Sequence, residues 1–147
     1  LEISATVVSS PGSHQVAVRT GGTEHRLSVA PRSTGGGSAT NGGEFLMLAL
    51  ATCYCNDLYR EADRLGMRLE EVQVQASAEF AGIGLAASNV RYSATVKSAA
   101  PQQAIAQLLR DTDAVAEVHN TLRKGVAVKL LAWQPVHAAS SVAGSGA

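Results

Sequence analysis

Residues Thr40 to Gly66, TNGGEFLMLALATCYCNDLYREADRLG, constrain this chain more than any other stretch. They read as one long helix whose first half is apolar on all sides. A helix that is hydrophobic all round belongs inside a core, so the expected architecture is a central pillar with the rest packed around it. Asn41 is a good N-cap, and Glu44 three residues on completes a capping-box pair. Gly66, just past Leu65, supplies the C-terminal stop. Burial is expected from Phe45 to Cys55. Beyond it Leu58, Tyr59, Ala62 and Leu65 lie on one side and Arg60, Glu61, Asp63 and Arg64 on the other, so the helix emerges towards solvent.

The pillar carries both cysteines of the chain, Cys53 and Cys55. Two positions apart on a helix, they point about 200° apart at ~100° per residue, and cannot form a good disulfide. They do not make a secreted disulfide framework either, so a cytoplasmic, reduced setting is expected. A thiol halfway along a buried pillar is a place for chemistry, and equally a small apolar residue filling space. Both readings stay open at Cys53. For Cys55, on the other side of the pillar, packing is expected.

The flanking segments set the fold class. Ile3–Val8, His14–Arg19 and Glu24–Ala30 are β-prone runs. Ser10-Pro11-Gly12 turns between the first two, and Gly21-Gly22 makes a hairpin between the next two, because glycine reaches positive φ without steric cost. A three-stranded antiparallel meander follows. Pro31–Ala39 is a loop; its three glycines lack the strand and the GxxxxGK[ST] pattern of a phosphate cradle. After Gly66 the apolar period changes to two. Val72, Val74, Ala76, Ala78 and Phe80 alternate with polar residues, as do Val90, Tyr92, Ala94 and Val96, which gives a pair of strands joined through Gly82 and Gly84. Pro101 opens a helix to about Thr112. A short helix is expected from Asp113 to Leu122, then a last strand through Val126, Val128 and Leu130. Trp133 is expected to cover a sheet edge. This order is α+β with antiparallel sheets, not βαβ repetition.

A chain of 147 residues fits one core. The expected organisation is a single domain over residues 1–137 and an Ala/Ser/Gly-rich flexible tail over 138–147. Lys+Arg and Asp+Glu are equal at 12 each, with no basic face for nucleic acid. No apolar run is long enough to span a bilayer, and no signal peptide is expected. Aromatics are only 4%; so many small aliphatics lead to the expectation of further burial at an oligomer interface.

Two segments together resemble the OsmC/Ohr family, the osmotically inducible and organic hydroperoxide resistance proteins. TNGGEFLMLALATC (residues 40–53) is similar, without a gap, to the family's TNPEQLLAAALAAC. AEVHNTLRKGVAV (residues 116–128) is similar to CPVSNTLRKGV, with Asn120 to Val126 retained. The likeness runs from about Ser13 to Leu131. It implies an intertwined homodimer in which each subunit's sheet wraps the other's central helix. It also implies reduction of organic hydroperoxides, in which a pillar thiolate becomes a sulfenic acid that a second cysteine resolves. In the family an arginine from the N-terminal strands activates the thiol and a carboxylate at the start of the pillar holds it.

Carried over residue by residue, Cys53 takes the peroxidatic position. The resolving cysteine falls on Ala116, its following proline on Glu117, and the family serine on His119. The carboxylate falls on Gly43; Glu44 is adjacent but a step of about 100° away around the helix. Arg19, Arg26 and Arg32 are the candidates for the activating cation. The resemblance thus leads to a divergent member without the resolving cysteine, a one-cysteine thiol peroxidase acting on a hydrophobic hydroperoxide with an external thiol reductant. A non-catalytic protein binding a small apolar ligand in the same pocket is the alternative. A third is a Cys/His nucleophilic enzyme with His119 as base. A metal site of Cys53, Asp57 and His119 has few ligands at loose spacing, and neither a metal nor a cofactor is expected.

Overall fold

The computed structural model describes residues 1–132 and 134–139. The expectations for Trp133 and for most of the tail lie outside the described residues. The elements are β1 (Ile3–Ser10), β2 (Ser13–Thr20), β3 (Thr23–Leu27), α1 (Gly42–Arg64), β4 (Glu71–Glu79), β5 (Ser88–Lys97), α2 (Gln102–Val115) and α3 (Glu117–Lys124). There are two antiparallel sheets, β1-β2-β3 and β4-β5, and β4 of the second packs against the long helix. The α+β class and the element order up to α2 match the sequence reading.

Local chemistry accounts for the ends of α1. The Asn41 side chain accepts from the Glu44 N–H at 2.9 Å, while the Glu44 carboxylate accepts from the Asn41 N–H at 2.7 Å. Both bonds of the capping box are present. At the other end Gly66 has φ +66, a left-handed turn that L side chains rarely adopt.

The core sits lower on the pillar than expected. Tyr54, Leu58 and Ala62 of α1 pack with Leu108 of α2 and with Ala116; Val72, Val74, Tyr92, Ala94 and Val96 of β4-β5 close over them. The spacing of four along α1 aligns one stripe against that sheet. In the first half only Leu50 is buried, and Leu48 is 57% exposed. The apolar pattern there is real, but among the described residues it is covered only in part, with Phe45, Leu46 and Met47 half-buried. The β1-β2-β3 meander has no buried residue at all.

Three boundaries differ from the sequence reading. β3 stops at Leu27, three residues short. α2 continues to Val115, and the break comes at Ala116, whose backbone is extended (φ -72, ψ 105). The strand expected at Val126–Leu130 is absent. That segment has no regular structure, because no neighbouring strand offers it a ladder, and Val128 is 97% exposed. Among the described residues no helix is long and apolar enough to cross a membrane.

Candidate functional site around Cys53

Cys53 and Asp57 stand one turn apart on α1. The Sγ donates to Asp57 Oδ2 at 3.5 Å. Glu117, at the first position of α3, completes a group whose ligand atoms all lie within 4.8 Å of one another. The Val118 backbone N–H, also in the first turn of α3, is near enough to the Cys53 sulphur to favour its charged form. Such free amides are the ones a helix leaves unpaired at its start.

A cation balances the two carboxylates. Arg60 Nη1 is 2.7 Å from Asp57 Oδ1 and 3.8 Å from Glu117 Oε1, and its Nε donates to Glu61 at 3.1 Å. Its position is set by the helix, since residues three apart share a face. Asp57 is only 5% exposed. Burial pushes its carboxyl up, Arg60 pulls it down, and Glu117 raises it again.

The thiol is pushed in the same direction. Burial raises the Cys53 pKa most; the Val118 N–H opposes this, and the charges of Asp57 and Glu117 add to the rise. Arg60 acts on the carboxylates, not on the sulphur. Within one chain, therefore, burial and the neighbouring carboxylates disfavour the Cys53 thiolate. Cys55 is also a free, half-buried cysteine.

The candidate cations lie elsewhere in the chain. Arg19 pairs with Glu24 across β2 and β3 at 2.6 Å. Arg26 lies on β3 opposite Ala17. Arg32 sits in the following loop, its side chain against Gly37. None of the three bonds to Cys53, Asp57 or Glu117. Sequence reasoning did not single out Arg60, although its spacing from Asp57 signalled a helix-face ion pair.

His119 is buried, 3% exposed, but it is not the third member of the cysteine cluster; Glu117 is. The imidazole packs against the rings of Tyr92 and Tyr54, with centroids 4.4 Å and 5.8 Å away. Neither ring nitrogen has a hydrogen-bond partner. Burial and the Arg123 charge hold its pKa below the ordinary histidine range, against the pull of Asp113 and Asp57.

Two further positions define the site. Ala116 is completely buried, so the place of a resolving thiol is filled by a methyl in a closed joint. At Gly43 an added Cβ would lie 3.2 Å from Phe80 Cε2 and 3.3 Å from Phe80 Cζ. The Phe80 ring therefore occupies the space into which a side chain at Gly43 would grow. Beside it a cleft of about 590 Å³ is lined by Met47, Ala76, Ala78 and Phe80 together with Asn41 and Glu44.

The OsmC-like protein family matches residues 35–131. The chain is an OsmC-like protein. Solved structures share its fold. An OsmC-like protein from Mycoplasma pneumoniae superposes with a TM-score of 0.58 over 83% of this chain and 86% of that one, at 13% identity. An organic hydroperoxide resistance protein from Elizabethkingia anophelis, with thiocyanate bound, gives 0.57 over 84% and 89%, at 17% identity. The organic hydroperoxide resistance protein OsmC from Legionella pneumophila gives 0.50 over 80% and 89%, at 20% identity. A sequence search of curated proteins finds no match. Within the family this member is divergent: Ala116 and Gly43 stand where the resemblance calls for a cysteine and a carboxylate.

Proposed function

We propose that this OsmC-like protein reduces organic hydroperoxides through Cys53 alone. The observation that carries the reading is the seat of the sulphur, on the pillar and under the Val118 N–H at the start of α3. Helix N-terminal amides favour the thiolate over the thiol. Cys53 attacks the peroxide: an S–O bond forms, the O–O bond breaks, and the alkoxide leaves as the alcohol after taking up a proton. Sulphur is oxidised to the sulfenic acid. Ala116 supplies no sulphur to resolve it, and Cys55 faces another side of α1. One external thiol then displaces water to form a mixed disulfide. A second releases the Cys53 thiol and leaves as the external disulfide.

Activation needs a cation that Arg60 does not provide. The proposal assigns it to Arg19, Arg26 or Arg32 of a second copy in a homodimer. Exposed Leu48, Val8 and Val128 on a small chain support such an association. The test is cumene hydroperoxide consumption with excess dithiothreitol, alongside trapping of sulfenic acid. Turnover lost in Cys53→Ser is expected. No turnover, with no sulfenic acid at Cys53, sinks the reading.

The raised thiol and the cleft beside Phe80 favour a second reading, a non-catalytic protein that holds a small apolar ligand there. In that case Cys53→Ala leaves affinity and stability unchanged; a large loss of affinity rejects it. The Cys/His enzyme finds no support in the geometry, since His119 packs on tyrosines and the thiol bonds to Asp57.

A further inference from the structure

Asp57 is a carboxylate in a place where an ionised carboxylate is costly. Its side chain is 6% exposed, deeper than the half-buried thiol beside it. Its two oxygens are divided between two partners. Oδ1 accepts from Arg60 Nη1 at 2.7 Å, and Oδ2 accepts from Cys53 Sγ at 3.5 Å. Arg60 thus fixes the carboxylate and leaves Oδ2 facing the sulphur. A thiol has one proton to give, and Oδ2 is its acceptor.

Glu117 carries the arrangement outward. Its side chain is 71% exposed, and one of its oxygens lies within 4.8 Å of both the sulphur and an Asp57 oxygen. The cluster therefore runs from the thiol to a buried carboxylate and on to one open to solvent. Arg60 serves both carboxylates and also Glu61. If Cys53 lost its proton to water, a further negative charge would stand beside two carboxylates, and like charges so close oppose ionisation. Passing the proton to Asp57 leaves the total charge of the three groups unchanged. Burial favours the protonated form of that carboxyl.

We propose that Asp57 and Glu117 form a proton relay, in which Asp57 takes the thiol proton of Cys53 and Glu117 hands a proton to the alkoxide leaving the hydroperoxide. This relay rests on the peroxidase reading above and supplies its proton. A sulphur electron pair forms the S–O bond as the O–O bond breaks. The O–O pair goes to the departing oxygen, which takes the relayed proton and leaves as the alcohol. The hydroperoxide's own hydrogen stays on the oxygen that sulphur gains. Cys53 ends as the sulfenic acid, and both carboxylates end ionised, as they began. Asp57 touches the reacting sulphur but is too buried to meet the substrate, and Glu117 is the carboxyl that solvent and substrate can reach.

Two electrophiles separate proton delivery from thiol ionisation. Cumene hydroperoxide expels an alkoxide that needs a proton, whereas iodoacetamide expels iodide, which needs none. Single-turnover rates with each are measured on the full chain at neutral pH, with dimedone trapping the sulfenic acid. Asp57→Asn should react faster with iodoacetamide, because a charge beside the thiol is gone. With cumene hydroperoxide it should react about tenfold or more slower, the proton donor being lost. Glu117→Gln changes an exposed side chain that folding tolerates, and should show the same split between the two reagents. A residue that merely held the site in shape would move both rates in one direction. Absence of sulfenic acid in the wild type overturns the peroxidase reading and the relay with it. Sulfenic acid in the wild type, with parallel changes towards the two reagents in both variants, overturns the relay alone.

Discussion

Cys53 Sγ and Asp57 Oδ2 face each other at 3.5 Å on the same side of α1, so a buried carboxylate one turn away adds to the burial that raises the thiol. Asp57→Asn removes that charge and should lower the thiol pKa. Arg60→Gln strips the carboxylates of their counter-ion and should act in the opposite direction. Iodoacetamide alkylation of Cys53 across pH reads both: the first variant reacts faster near neutral pH, the second slower. Identical profiles for the two variants and the wild type would show that the carboxylate does not govern the thiol.

The contact between Phe80 and Gly43 predicts non-additivity. Alanine in place of a helical glycine normally stabilises by up to about 1 kcal/mol. At Gly43 the new Cβ meets the Phe80 ring at 3.2–3.3 Å and the capping Asn41 Oδ1 at 3.2 Å, and each must give by a few tenths of an ångström, so Gly43→Ala should change stability by less than about 0.5 kcal/mol. In a Phe80→Ala background more of that gain should emerge, with the Asn41 contact remaining. A double-mutant cycle by urea denaturation measures the coupling, and simple additivity would mean that the ring moves aside freely.

Leu58 and Leu48 lie on the same helix with opposite fates. Leu58 is completely buried and Leu48 is 57% exposed. Leu58→Ala should cost about 2–5 kcal/mol, whatever the protein concentration. Leu48→Lys should leave the monomer's stability within about 0.5 kcal/mol and move the sedimentation-equilibrium mass from twice the chain towards once. A wild-type chain that sediments as a monomer at high concentration would remove the basis for that second expectation.

His119 makes stability depend on acid. Its folded pKa lies below the ordinary value, so the unfolded chain takes up a proton first as pH falls. The stability is complete above about 6.5 and is lost on acidification from there towards the depressed folded value. Denaturant midpoints between pH 8 and 5.5 should fall, and His119→Phe should flatten that slope. The same slope in the variant would place the titration elsewhere.

Much of this was legible before the structure. Asn41, Glu44 and Gly66 gave the ends of α1 because capping is a short-range interaction between neighbours in sequence. The alternation of Val72, Val74 and Ala76 with glutamines gave β4 for a similar reason. The apolar residues at the start of α1 and at Val126–Leu130 misled, since periodicity reports that a face is apolar and not whether the same chain covers it. Glu117 escaped notice as a site residue because its place beside Cys53 depends on how α3 docks. Ala116 makes that joint, and its extended backbone has no signature in an Ala-Val-Ala-Glu run.

The meander without buried residues has a kinetic consequence. Three strands held by their ladders, with no interior of their own, are marginal in isolation, whereas α1, β4, β5 and α2 share one core. The chain is therefore built in two tiers of persistence. In a dilute sample the amides of β1–β3 should exchange with deuterium by local opening, well before those around Tyr54 and Leu58, which open only when the whole core does. A protease added to the native protein should accordingly cut first on the N-terminal side of Asn41 and leave the remainder folded.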